Sequence, residues 1–204
     1  MTDGPAKTHQ QLWDERHASR GHIESSEPDP VLVSVAGPLP PGRSLDLAAG
    51  DGRNTIWLAS RGWTATGVDF SGVALERARA SADRAGVTAT WVHADLLSWR
   101  PAPASADLAI VMFLHLPRGD RRAVFAKAAA ALAPGGRLLI VGHDRSNLGR
   151  DVAGPRDPAF LYVPDEVAAD LSGLAILEAR QVEHDLGDGR LSTDTVVVAQ
   201  RAGA

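Results

Sequence analysis

The chain contains no cysteine, which excludes disulfides, thiolate metal sites and a cysteine nucleophile at once. It also lacks a long apolar run. Stretches such as LAIVMFL and LLIVG are far too short to span a bilayer and read as buried strands. The first residues, MTDGPAKTHQQLW, show no basic segment followed by an apolar one, so no secretory signal and a cytoplasmic location are expected. No internal repeat is present. Neither charge dominates: 21 Lys and Arg stand against 25 Asp and Glu, a formal net charge of −4. Nothing in that balance draws the chain to nucleic acid or to an anionic membrane. What remains is 204 residues, 44% hydrophobic and 23% charged, which suits one globular α/β domain with a full core.

The pattern along the chain alternates between strand and helix. Residues 7–20 read as a short helix with Trp13, Arg16, His17 and Arg20 on one face. Pro28 and Pro30 break it, residues 31–36 suggest a second short helix, and a Pro/Gly cluster leads into the core at about residue 42. Strands are expected at 43–47, 64–69, 88–93, 107–114 and 137–142. Helices fall between them: one over 55–60, one capped by Ser71 with Leu75, Ala78, Ala82 and Ala85 on a face, and one from Asp120 ended by Pro134-Gly135-Gly136. This alternation implies a parallel sheet with right-handed crossovers. Residues 174–185 and 193–200 read instead as an antiparallel hairpin about Gly187-Asp188-Gly189.

The most informative stretch is LDLAAGDGRNT, residues 45–55. It reads as a buried strand ending near Asp46, a glycine turn Gly50-Asp51-Gly52, and a helix start at Asn54-Thr55. Such a unit cradles adenosine-containing cofactors. The dinucleotide pattern G-x-G-x-x-G would need glycine at position 55, where Thr55 stands, and Asp51 inside the turn would repel a pyrophosphate. The carboxylates point to a cationic ligand.

LDLAAGDGRNT, TGVDFS, HADLL and LAPGGRLLIVG, in that order and at that spacing, resemble the class I S-adenosylmethionine-dependent methyltransferases. The final hairpin matches the family's reversed last strand. GDGRN with the N-terminal WDERH resembles, more finely, the small bacterial tellurite-resistance and thiopurine-type enzymes. The resemblance implies a Rossmann-like three-layer αβα sandwich with a mostly parallel seven-stranded sheet. The whole of 1–204 is expected to be one domain, with 1–41 as a helical lid or cover and 42–204 as the core.

The resemblance also implies the cofactor, S-adenosyl-L-methionine, which leaves as S-adenosyl-L-homocysteine. Asp46 and Asp51 suit its cationic groups. Gly50 and Gly52 let backbone approach it, the small Ala49 does the same where many members carry a larger residue, and Asn54 opens the helix whose N–H groups favour its carboxylate. Asp69, about 20 residues past the turn, suits the ribose hydroxyls. Asp95 is assigned to the adenine amino group, Leu96 to a backbone contact and apolar cover, and Phe70 to packing on the adenine. Phe113 lies in MFLHLPR, the segment that faces the methyl in this fold class.

Methyl transfer from a sulfonium is an in-line displacement that chiefly requires alignment and exclusion of water. A soft S, Se or Te nucleophile needs no base, whereas a phenolic oxygen does. The soft acceptor is the first expectation and the phenol the second. MFLHLPR lacks an N-P-P-Y-type tetrad, which argues against a nucleic-acid amine as acceptor. His115 and His143, just past strand ends, are the candidate bases, with Asp144 as a possible partner of His143. Trp13, Arg16 and His17 join them on the acceptor side. His143 and Asp144 alone are poor evidence for a metal, and none is expected. The alternatives are an NAD-type oxidoreductase and a non-catalytic S-adenosylmethionine-binding module. Oligomeric state is not legible.

Overall fold

The protein was analysed as a computed structural model that describes residues 27–203. Its sheet comprises β1 (Arg43–Leu47), β2 (Thr64–Asp69), β3 (Thr90–His93), β4 (Ala106–Met112), β5 (Leu132–His143), β6 (Ala175–Asp185) and β7 (Leu191–Gln200). The helices are α1 (Pro30–Ala36), α2 (Arg53–Ser60), α3 (Gly72–Ala85), α4 (Arg118–Ala131) and α5 (Pro164–Ala169). The seven strands run in the order β3-β2-β1-β4-β5-β7-β6. All neighbours pair in parallel except β5 with β7 and β7 with β6. The fold is the Rossmann-like three-layer sandwich expected, with its antiparallel C-terminal strands.

Period-two alternation divides the core between the two faces of the sheet. Ala109 and Val111 of β4 and Leu138 and Ile140 of β5 pack with Val124, Phe125 and Ala128 of α4. Their neighbours Leu108, Ile110, Leu139 and Val141 pack with Val31 and Leu32 of α1 and Leu58 of α2. Strands covered on both faces need apolar residues at every position, which is why β4 and β5 read as continuous hydrophobic runs. Local signals fix the helices. The Asp29 carboxylate accepts from Val31 N–H at 2.9 Å with Pro30 at the first helical position, so α1 starts there. Ser71 Oγ accepts from Ala74 N–H at 3.2 Å, and Gly86 ends α3 in the left-handed region.

Element edges differ from expectation where backbone geometry intervenes. β4 stops at Met112 rather than running to Leu114, because Phe113 adopts φ 54°. β5 begins at Leu132, directly after α4, and Pro134-Gly135-Gly136 forms an irregularity within that strand rather than a separate loop. α1 lies within the segment expected to act as a cover, yet it packs into the core of the sheet.

The chain runs outward from β1 to β3, then returns to β4 on the other side of β1. The topological switch thus falls between β1 and β4, and α/β proteins bind ligands outside the C-terminal ends of the strands at such a point.

Candidate active site

Two non-glycine residues in the left-handed region, Ala48 (φ 69°) and Phe113 (φ 54°), follow the two strands that flank this switch. Such conformations cost on the order of 1–3 kcal/mol each and persist where the surroundings impose them. Here the turn after β1 is pinned by Ala48 and Ala49 N–H groups donating to Val68 O and by Gly52 N–H donating to Ala49 O. Gly50 (φ 55°) and Gly52 (φ 81°) complete it.

Asp69 ends β2 beside that turn. One carboxylate oxygen accepts from Gly50 N–H at 2.8 Å and the other from Ser71 N–H at 2.9 Å. The carboxylate thereby ties the end of β2 to the turn after β1. Asp46, 2% exposed, accepts from Thr55 Oγ1 at 2.7 Å and so ties α2 to β1. Burial pushes its carboxyl up to about 7, helped by the nearby Asp69 charge and opposed by the Thr55 hydrogen bond. A cation placed close by would favour its ionised form. α2 starts at Gly52 without a side-chain cap, which leaves no side chain competing for its leading N–H groups. Carboxylates, a tight small-residue turn and an uncapped helix start fit the ammonium, sulfonium and carboxylate of S-adenosylmethionine; the residues that would hold it are Ala49, Gly50, Asp51 and Asp69.

Several of the expected site residues have partners within the protein. A Cβ at Gly52 would meet the Trp91 ring at 2.4 Å and Ala78 Cβ at 2.8 Å. Gly52 is therefore demanded by its φ and by the indole packed beneath the turn, and Gly67 accommodates the same indole. Trp91 escaped sequence reasoning because its partners lie on other elements. Asn54 is buried at the start of α2: its Oδ1 accepts from Asp29 N–H at 2.9 Å, and its Nδ2 lies 3.3 Å from Met112 Sδ. Asp95 is exposed, with one oxygen accepting from Leu97 N–H at 2.8 Å. Leu96 is buried beside it, and its carbonyl accepts from Lys127 Nζ. The Phe70 carbonyl lies 2.9 Å from His93 Nε2.

On the other side of the switch, His143 ends β5. Its ring centroid is 5.0 Å from that of Phe113 and 5.5 Å from that of His115, nearly parallel to the latter. Both candidate histidines thus meet at one edge. Nδ1 of His143 lies 3.0 Å from Asp194 Oδ1. Asp194, not Asp144, is the carboxylate partner. Asp144 is buried and points elsewhere: it accepts from Ser146 N–H, Gln181 Nε2 and Thr195 Oγ1. Gly154 (φ 119°) presses its backbone on the same ring, and a Cβ there would sit 2.7 Å from His143 Cδ2. Tyr162 Oη donates to Leu114 O at 2.7 Å while its ring fills the space beside Gly142, so one side chain braces the ends of both β4 and β5. Asp194 and Gly154 left no sequence signal, since one comes from the reversed hairpin and the other from an irregular loop. Trp13, Arg16 and His17 lie outside the described residues.

A doubly covered sheet with a reversed β7 and an acidic, glycine-containing turn at its switch point makes a Rossmann-like domain. Residues 45–136 match the family described as a methyltransferase domain. An uncharacterized protein of Mycobacterium tuberculosis is 34% identical over 122 residues, 58% of this chain and 44% of that protein. The structure titled for the conversion of a disulfide bond into a thioacetal group during echinomycin biosynthesis is similar at TM-score 0.77 and 21% identity, over 96% of this chain and 93% of that one. TehB from Haemophilus influenzae is similar at TM-score 0.68 and 18% identity, over 85% of this chain and 62% of that one. The chain spans half or less of the length of the curated relatives it matches. The family match spans β1 to the start of β5, and the likeness to the solved structures is one of fold. Among the described residues, no helix is long and apolar enough to cross a membrane.

Proposed function

We propose that this protein transfers the methyl of S-adenosylmethionine to a phenolic or similarly acidic hydroxyl oxygen of a small molecule, with His143 as general base. The observation that carries this is the His143–Asp194 pair at the acceptor edge, 3.0 Å apart. A carboxylate accepting from Nδ1–H leaves Nε2 as the ring's acceptor and stabilises the imidazolium formed when Nε2 takes a proton. A soft nucleophile would leave that pair idle, so the pair supports the phenolic acceptor ahead of the sulfur, selenium or tellurium nucleophile that comes first from sequence. The bound cofactor supplies an activated methyl on a positive sulfur. The chain's residues do the rest. Asp69 and the 48–52 turn orient the donor; Phe113 and His115 wall the acceptor side; Asp95, Leu96 and Phe70 are assigned to the adenine. A cytoplasmic site of action and a free small-molecule acceptor, rather than nucleic acid or membrane, are part of the same reading.

A second reading, a sulfur acceptor, is supported by the extent of the likeness to the thioacetal-forming structure. Matched phenol and thiol pairs offered with labelled S-adenosylmethionine separate the two. Phenol turnover that falls about a hundredfold in His143→Gln supports the oxygen reading. Thiol turnover indifferent to that substitution defeats it. Calorimetry with S-adenosylhomocysteine and NADH tests the cofactor, and binding of NADH alone would overturn the assignment.

A further inference from the structure

Asp194 faces two imidazoles, not one. His143 Nδ1 lies 3.0 Å from Oδ1, and His184 Nε2 lies 3.1 Å from Oδ2, within ion-pairing reach though not aligned as a hydrogen bond. The hairpin register produces this. Asp194 stands directly opposite His143 on β5 and opposite Val182 on β6, and His184, two residues on, returns to the same face. Asp194 is only 6% exposed, whereas the His184 side chain is 33% exposed. We infer that His184 is a positioning residue of the acceptor-side base: it shares the Asp194 carboxylate with His143 and sets how much of that charge His143 can use. The inference rests on the base reading given above.

A neutral His184 leaves the whole carboxylate charge to His143. A protonated His184 neutralises it, and a second proton on His143 then places two cations beside one anion. The other charged or titratable groups near the cluster, among the described residues, are Asp29 at the start of α1 with Arg53 3.8 Å from it, and His115 stacked on His143. Among the described residues, His184 is the group that lies against the second oxygen of Asp194.

Two variants test this. His184→Gln is neutral at every pH, and His184→Arg is a permanent cation. The expected result is an acid limb of the kcat–pH profile moved to higher pH in the Gln variant. In the Arg variant the plateau kcat falls about tenfold, a part of what a general base contributes. In the ligand-free protein, ring-nitrogen NMR should show His143 titrating differently in the two variants. Coincident His143 titrations together with unmoved rate profiles would overturn the inference even if both variants fold less well, because a purely structural role moves neither. Full activity in His143→Gln would instead defeat the base reading and take the catalytic role of His184 with it; the NMR comparison tells the two failures apart.

Discussion

Around β1 and β2 the site is assembled from contacts that are short in sequence: Thr55 reaches back 9 residues to Asp46, and Gly50 lies 19 from Asp69. Around β5 and β7 the contacts are long: His143 meets Asp194 across 51 residues, and Tyr162 reaches Leu114 across 48. The first region is a strand, a turn and a helix start closing on the next strand. The second exists only once the reversed hairpin has docked. A donor that is always the same chemical can be held by a local motif. In the proposed reading, an acceptor edge built from a distant hairpin and an irregular loop can change without disturbing that motif.

The comparison can be broken at several points. His143→Gln should have the largest effect, lowering kcat for a phenolic acceptor about a hundredfold or more while S-adenosylhomocysteine affinity by calorimetry stays put. A parallel loss of affinity would show that the two regions are not separable. Gly52→Ala, which strikes Trp91 and the left-handed turn together, should destabilise the fold by about 2–3 kcal/mol in denaturant melts. Asp69→Ala should weaken S-adenosylhomocysteine binding by about 1–3 kcal/mol, since it loses charged hydrogen bonds and frees the Gly50 and Ser71 N–H groups. Unchanged binding would remove Asp69 from the cofactor site. Ala48→Gly should stabilise the ligand-free protein by about 1 kcal/mol by relieving φ 69°; a lower melting temperature would refute the strain argument.

Asp46→Asn sharpens the comparison through the sign of a pH effect. Burial raises this carboxyl from 3.8 to about 7 in the folded protein. Its contribution to stability is therefore complete below about pH 4 and drains away as pH rises towards 7, because the unfolded chain ionises first. The Asn variant has no such drain. Its melting temperature minus that of the parent should grow from pH 5 to pH 8, and a constant difference would contradict the raised carboxyl.

Legibility followed the same divide. Ser71 as a cap and the strands β1 and β2 follow from near neighbours, and the structure places all of them as expected. Asp144 shows the limit. It is a polar residue in a polar stretch just past a strand end, and sequence alone offers it as the partner of His143. In the structure it holds Ser146, Gln181 and Thr195 instead. Which way such a side chain turns depends on donors and acceptors brought in from other elements, and those partners carry no local pattern.

The sequence by itself determined the alternation of strands and helices, the reversed hairpin and the acidic glycine turn. Period and turn chemistry act over a few residues, and the chain cannot evade them. Only the tertiary structure decided that Trp91 lies under the turn, that Gly154 presses on His143, and that Asp194 faces two histidines. Those facts depend on strand register and on loop paths across the sheet, where a slip of one residue would turn every side chain to the other face.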